Sequence, residues 1–78
     1  MKRLHLTAVI WPDGPAYVSR CPEIGVASCG DTPAAAKAAL QEAVELWLEN
    51  AAQLGMLDDI RPALENDERY TAPLEVAG

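Results

Sequence analysis

Residues 30–55, GDTPAAAKAALQEAVELWLENAAQLG, decide the fold because they contain a helix with its own start and stop signals. Thr32 is a good N-cap, and Pro33 at the first helical position lacks only an amide donor that would have no intrahelical partner. Gly55 suits the residue just after the helix, where the backbone often needs a positive φ. The sequence therefore predicts one long helix over residues 33–54.

The predicted helix is amphipathic. Its apolar stripe, read at 3.6 residues per turn, consists of Ala36, Leu40, Ala43, Val44, Trp47, Ala51 and Leu54, with Leu48 at the edge. Glu42, Glu45 and Glu49 gather on the opposite side. We expect the stripe to pack on a sheet and the three carboxylates to face solvent.

Three short strands are predicted before the helix. Residues 3–11 alternate in the way that a half-buried strand does. One face of this strand carries Leu4, Leu6, Ala8 and Ile10. A turn at residues 12–15 leads to a second strand at 16–21, which ends before Pro22 because proline cannot donate to a ladder. Another turn leads to a third strand at residues 26–29.

The chain after Gly55 is less regular. Met56, Leu57, Ile60 and Leu64 have weak helical spacing, and Pro62 is expected only near the start of a short helix. Residues 70–76 alternate as a last strand with Ala72, Leu74 and Val76, and Pro73 restricts that strand to a sheet edge. The prediction is therefore a single α+β domain over residues 1–78, with the order β-β-β-α-β and a three-stranded antiparallel sheet under the helix.

Charge is distributed unevenly along the chain. Twelve Asp and Glu against six Lys and Arg give a net charge of −6, the wrong sign for a protein that neutralises phosphates. Residues 1–22 carry a balance of +2, which leaves −8 for residues 23–78. We therefore expect no direct nucleic-acid binding, and an acidic surface that attracts basic partners.

The composition also predicts where the protein is located and whether it self-associates. The N-terminus has no long apolar run of the kind that a signal peptide needs, and only two cysteines are present, so we expect a cytoplasmic protein. Charged residues interrupt the apolar stretch at 33–54, which argues against a membrane span. A core this small leaves about 3–5 kcal/mol of net stability, so we also expect a homo-oligomer.

Few residues are suited to catalysis. His5 lies mid-strand and is expected to be a partly buried structural imidazole, while Cys21 and Cys29 lack zinc-ligand spacing and are expected to be free thiols. A residual magnesium nuclease would need clustered carboxylates, whereas Asp13, Glu23 and Asp31 all lie in predicted turns. The sequence therefore predicts no enzyme, no metal and no cofactor.

Partner-binding residues are predicted on two grounds. Trp11 ends a strand beside a turn and suits an interface anchor, and Tyr17 is a second aromatic candidate. Glu42, Glu45, Glu49, Asp58 and Asp59 are predicted to supply electrostatic complementarity to a basic partner. The alternative for the aromatic residues is core or edge packing, and the alternative for the carboxylates is a solvated face.

A recognisable pattern runs through residues 14–48. It consists of Gly14, Tyr17, the Cys21-Pro22-Glu23-Ile24 turn, Ser28, Gly30-Asp31-Thr32, Ala36 and the helical run from Glu42 to Leu48. This pattern resembles the N-terminal domain of HicB-type antitoxins. The sequence departs from that pattern at Ala34 and Ala35, where the family often has two glutamates, and in the absence of a Gly-Cys step before Ser28.

The resemblance implies a truncated RNase H-like fold without catalytic carboxylates. It also implies a function: neutralising, by direct contact, a small basic mRNA-cleaving ribonuclease toxin of the HicA-like type. Residues 56–78 are too few and too acidic for the DNA-binding domain of many family members, so no separate one is expected. The alternative is an orphan, self-assembling structural domain without a toxin partner.

Overall fold

A computed structural model describes residues 4–78 and contains three strands followed by two helices. The strands are β1 (Val9–Asp13), β2 (Ala16–Cys21) and β3 (Val26–Gly30), and the helices are α1 (Pro33–Gln53) and α2 (Leu57–Glu65). The α+β class and the helix-on-sheet architecture are confirmed, whereas the element order is β-β-β-α-α.

The three strands form one antiparallel sheet in the order β1-β2-β3. Asp13 pairs with Ala16, so Gly14 and Pro15 alone make the first turn, and β2 pairs with β3 from Tyr17↔Gly30 to Cys21↔Val26. Because β2 lies in the centre, its two neighbours leave their outer edges unpaired within the described chain.

The first strand is shorter than predicted. The register Val9↔Arg20 would place Thr7 opposite Pro22, where β2 has already ended in a turn. No strand is therefore left for residues 4–8 to pair with, and they run beside α1 outside the sheet. Arg3, the first residue of the predicted strand, lies outside the described residues.

Helix α1 has the caps that the sequence predicts. The Thr32 hydroxyl accepts a hydrogen bond from the Ala35 amide at 3.0 Å. At the other end Gly55 has φ +73°, its amide donates to Ala52 O at 3.1 Å, and the Met56 amide donates to Ala51 O at 2.9 Å. This pair of bonds is the Schellman arrangement, which satisfies carbonyls that the helix leaves open.

The core lies between α1 and one face of the sheet. Ala36, Leu40 and Ala51 are buried, and Ala43, Val44, Trp47 and Leu48 are half-buried. Leu54, predicted in the stripe, is instead 73% exposed because it is the C-cap and lies beyond the sheet. On β3, a Cβ at Gly30 would come within 2.5 Å of the Ala36 backbone nitrogen, so only glycine permits this close approach of strand and helix.

The two faces of the sheet follow from the register, since directly paired residues share a face. The covered face, under α1, consists of Ile10, Pro12, Tyr17, Ser19, Cys21, Val26, Ser28 and Gly30. The open face consists of Val9, Trp11, Asp13, Ala16, Val18, Arg20, Ala27 and Cys29. The buried Ser19 hydroxyl donates to Ala36 O at 2.8 Å and fixes α1 on the covered face.

The C-terminal part differs from prediction in two ways. Pro62 lies inside α2 rather than near its start, and the helix tolerates it because α2 is short and buries Leu64. The predicted last strand is not formed, since residues 66–78 contain no strand and Tyr70, Leu74 and Val76 are each more than three-quarters exposed. Pro73 supplies no amide to a ladder, and neither outer sheet edge is paired to this segment.

Candidate functional site

Both helices carry exposed carboxylates. We use the name acidic side for the set of five, which are Glu42, Glu45, Glu49, Asp58 and Asp59. Glu42, Glu45 and Glu49 are spaced by three and four residues, which places them on one side of α1. Asp58 and Asp59 lie in the first turn of α2, where negative charge also favours the helix.

The field of this side is negative because few bases offset it. Residues 33–65 hold six carboxylates and only Lys37 and Arg61, which leaves −4. Arg61 lies 3.8 Å from both Asp58 and Glu65, so its charge is shared within α2. The Gln41 amide donates to Glu45 at 3.2 Å, an exposed contact that leaves the carboxylate its charge.

An apolar groove borders the acidic side. It has a volume of about 820 Å³ and lies between residues 4–8, α1 and α2. Its apolar lining includes Leu4, Leu6, Leu40, Val44, Leu48 and Leu57. Lys37, Glu45 and Arg61 also line it, so Glu45 belongs both to the groove and to the acidic side.

A second polar cluster surrounds Glu23 in the turn between β2 and β3. Glu23 accepts hydrogen bonds from the Thr7 amide at 3.0 Å and the Thr7 hydroxyl at 2.6 Å, and its carboxylate lies 3.1 Å from Arg69 Nε. Arg69 also donates to the carbonyls of Ala63 and Leu64, both at 3.1 Å, and to His5 O. Arg69 therefore caps α2 and ties it to the N-terminal segment.

Two pKa values are shifted in this cluster. Burial acts to raise the pKa of Glu23, but the hydrogen bonds that its carboxylate accepts, first those from Thr7 and then those from the Glu23 backbone and Cys21, together outweigh burial and lower that pKa. The pKa of the Cys21 thiol is raised, first by burial and then by its hydrogen bond and charge repulsion with Glu23, whose carboxylate lies 3.3 Å away. Glu23 is thus held charged and Cys21 protonated, which suits a structural cluster better than a nucleophilic one.

The predicted aromatic residues lie on opposite faces of the sheet. Trp11 is on the open face, paired with Val18, and is 42% exposed. Tyr17 is on the covered face, half-buried, and pairs with Gly30 close to where α1 begins. The fold therefore does not bring these two rings into one surface.

The remaining chemistry-bearing residues are dispersed. His5 is exposed rather than partly buried, because the segment that carries it leaves the sheet. Cys21 is buried on the covered face, Cys29 is exposed on the open face, and both are free. Between residues 4 and 78, no three His, Cys, Asp or Glu side chains approach closely enough to hold a metal ion.

Comparisons with known proteins assign neither a family nor a function to this chain. Neither the protein-family models, nor the curated proteins, nor the solved structures contain a match to this chain. The resemblance to HicB-type antitoxins therefore stays a prediction. Within the described part of the chain, no helix has the length and apolar character needed to cross a bilayer.

Sequence reasoning missed the Glu23–Arg69 pair. The two residues are far apart in sequence, and nothing local distinguishes Arg69 from an ordinary solvated base. The only local signal was Glu23 directly after Cys21-Pro22, an acid in a predicted turn. The exposed carboxylates, in contrast, lie where helical spacing predicts them.

Proposed function

We propose that this chain is a non-enzymatic binding module whose acidic side holds a small basic protein, as an antitoxin holds its toxin. One observation carries the proposal: five exposed carboxylates lie on two packed helices in a stretch of net charge −4. Glu45 and Glu49 repel each other across one helical turn at a cost of tenths of a kcal/mol. A cationic partner removes that cost and gains steering from the field.

The groove offers the partner an apolar contact site. Protein interfaces combine a desolvated apolar centre with a polar rim. Here Leu48 and Leu57 line a groove of about 820 Å³, and Glu45 lies at its border with the acidic side. In our proposal an apolar side chain of the partner enters the groove while its bases meet the surrounding carboxylates.

The partner class follows from charge together with the family resemblance. A ribonuclease that binds mRNA is basic because it must neutralise phosphates. An acidic protein can compete for that same basic surface and so block the enzyme without any chemistry of its own. We therefore propose a small, basic, mRNA-cleaving toxin as the partner, contacted in the cytoplasm. Trp11 is left out of this contact because it lies on the open face of the sheet.

The test uses the product of a short basic reading frame adjacent to this gene. Co-expression with the full chain should restore growth that this product arrests, and the purified chain should inhibit its cleavage of mRNA. The double variant Glu42→Lys/Glu49→Lys should slow association at least about tenfold at low salt. The absence of any growth-arresting basic neighbour would contradict the proposal.

A matched variant separates charge position from net charge. Asp67→Lys/Glu75→Lys makes the same change in net charge on the exposed C-terminal segment that follows α2. We expect this control to associate at close to the wild-type rate. Equal slowing by both doubles would mean that only overall charge matters and would overturn the assigned role of the acidic side.

A further inference from the structure

Within residues 4–78, the open face of the sheet is uncovered. Trp11 is 42% exposed, Val9 is 39% exposed, and Ala27 and Cys29 are also exposed. Trp11, Val18 and Cys29 form one row across the three strands, since each is paired with the next. Exposed apolar patches with polar residues at their rim often mark interaction sites, and here Asp13 and Arg20 form the polar rim.

We propose that the open face binds the open face of a second copy of this chain. This contact uses residues that the proposed partner contact does not use. The proposed dimer can therefore be tested independently of the proposed function. It makes Trp11 the anchor of self-association, with Val18 and Cys29 beside it in the desolvated centre.

Charge favours a second copy as the occupant. The open face carries one acid, Asp13, and one base, Arg20, so it is neutral, whereas the stretch that forms both helices carries −4. Contact through the helices would bring two negative surfaces together. Contact through the sheets keeps the acidic sides apart and exposed, so each copy in the pair still presents its carboxylates to solvent.

The two charges of the open face are complementary under two-fold symmetry. Asp13 lies at the hairpin end of β1, and Arg20 lies opposite Val9 near the other end of β2. A two-fold axis between the sheets and perpendicular to the strands reverses these ends. It sets Asp13 of one copy beside Arg20 of the other, twice, which is the self-matching pattern of an isologous interface.

The size of the face predicts the strength of the contact. Strands about 4.8 Å apart and five residues long form a face of about 14 by 17 Å, so two copies that meet through this face bury roughly 480 Å² in total. Stable interfaces bury at least about 1,200 Å². We therefore expect a reversible dimer whose population rises with protein concentration.

Sedimentation velocity over about 1 µM to 1 mM tests this with the full chain. The wild-type protein should shift from monomer to dimer as concentration rises. Trp11→Ser and Ala27→Glu, which change two exposed residues of the open face, should each raise the dissociation constant at least about tenfold. Circular dichroism would establish that both variants keep the fold.

Two matched controls make the same changes away from the open face. Leu46→Ser removes an exposed large apolar side chain from α1, and Ala34→Glu adds a carboxylate at an exposed alanine in the first turn of α1. Both should dimerise like the wild type. A wild-type protein that stays monomeric throughout, or controls that weaken the dimer as much as the open-face variants, would overturn the proposal.

Cys29 provides a second readout that requires no substitution. Its thiol is exposed in the proposed interface, whereas the Cys21 thiol is buried on the covered face. The rate at which a maleimide labels Cys29 should fall as protein concentration rises, while Cys21 stays slow at every concentration. A Cys29 rate that is independent of concentration would contradict the proposed interface.

Discussion

The covered face and the open face of the sheet alternate residue by residue along the same three strands. On β2, Ser19 and Cys21 of the covered face are 0% and 1% exposed, while Arg20 between them faces solvent. Neighbouring residues therefore have different roles. Those of the covered face hold α1 in place, and those of the open face remain available to a partner. Substitutions one residue apart should accordingly affect stability on one face and association on the other.

The largest difference is expected on β3. Gly30→Ala puts a Cβ within 2.5 Å of the Ala36 backbone nitrogen, so strand and helix must separate. Overpacking of this kind should lower the free energy of unfolding by about 3 kcal/mol. Ala27→Val, on the open face of the same strand, should change it by less than about 0.5 kcal/mol. Urea denaturation measures the free energy of unfolding of both variants. Similar decreases in the two variants would contradict the distinction between the faces.

The Glu23 cluster, in the turn between β2 and β3, should make the stability of the fold sensitive to acid. The pKa of Glu23 is lowered in the folded state, so its contribution is present above the unfolded pKa of about 4.3 and is lost as pH falls through the folded value. Glu23→Gln should cost about 2 kcal/mol at neutral pH, because it weakens a half-buried ion pair with Arg69.

The dependence of stability on pH below neutrality checks that interpretation. The difference between wild type and Glu23→Gln, measured by urea denaturation, should shrink as pH falls below about 4. Glu75→Gln, on the exposed C-terminal segment, should leave the curve unchanged. A difference that persists undiminished at low pH would show that packing, and not charge, makes Glu23 important.

A smaller effect is expected at Ser19. Its hydroxyl is fully buried and donates to Ala36 O at 2.8 Å. Ser19→Ala removes this bond and should cost about 1 kcal/mol by thermal or urea denaturation. Arg20→Ala, one residue along on the open face, should stay within about 0.5 kcal/mol. A larger loss from Arg20→Ala would mean that the open face also stabilises the monomer.

The smallest effect concerns the charges of the open face. Asp13→Lys or Arg20→Glu alone should weaken the proposed dimer only about two- to threefold, because exposed ion pairs contribute little. The double exchange should restore the wild-type dissociation constant in sedimentation experiments. Additive weakening in the double variant would rule out the pairing of Asp13 with Arg20 across the two-fold axis.

Local signals in the sequence were sufficient for part of this structure. Thr32 and Gly55 mark the two ends of α1. Each makes its capping contacts with residues a few positions away, so capping chemistry alone predicts where the helix begins and ends. The exposed positions of Glu42, Glu45 and Glu49 follow equally from helical spacing. These features need no knowledge of the rest of the chain.

The features that sequence did not predict depend on distant partners. The start of β1 is set by where β2 ends, and the absence of the last strand depends on whether a sheet edge accepts a segment containing Pro73. The face of Trp11 relative to Tyr17 depends on strand register, which alternation within one strand does not determine. The site is therefore predictable on the helices and not on the sheet.

The bond from Arg69 to the carbonyl of His5 joins the segment after α2 to the segment before β1 through one side chain. Nine further residues follow Arg69, enough to span about 30 Å when extended. They can therefore serve as the linker when Gly78 is joined to Met1. A circular permutant closed in this way and opened between Gly14 and Pro15 should keep the fold, with its new termini at the tip of the hairpin.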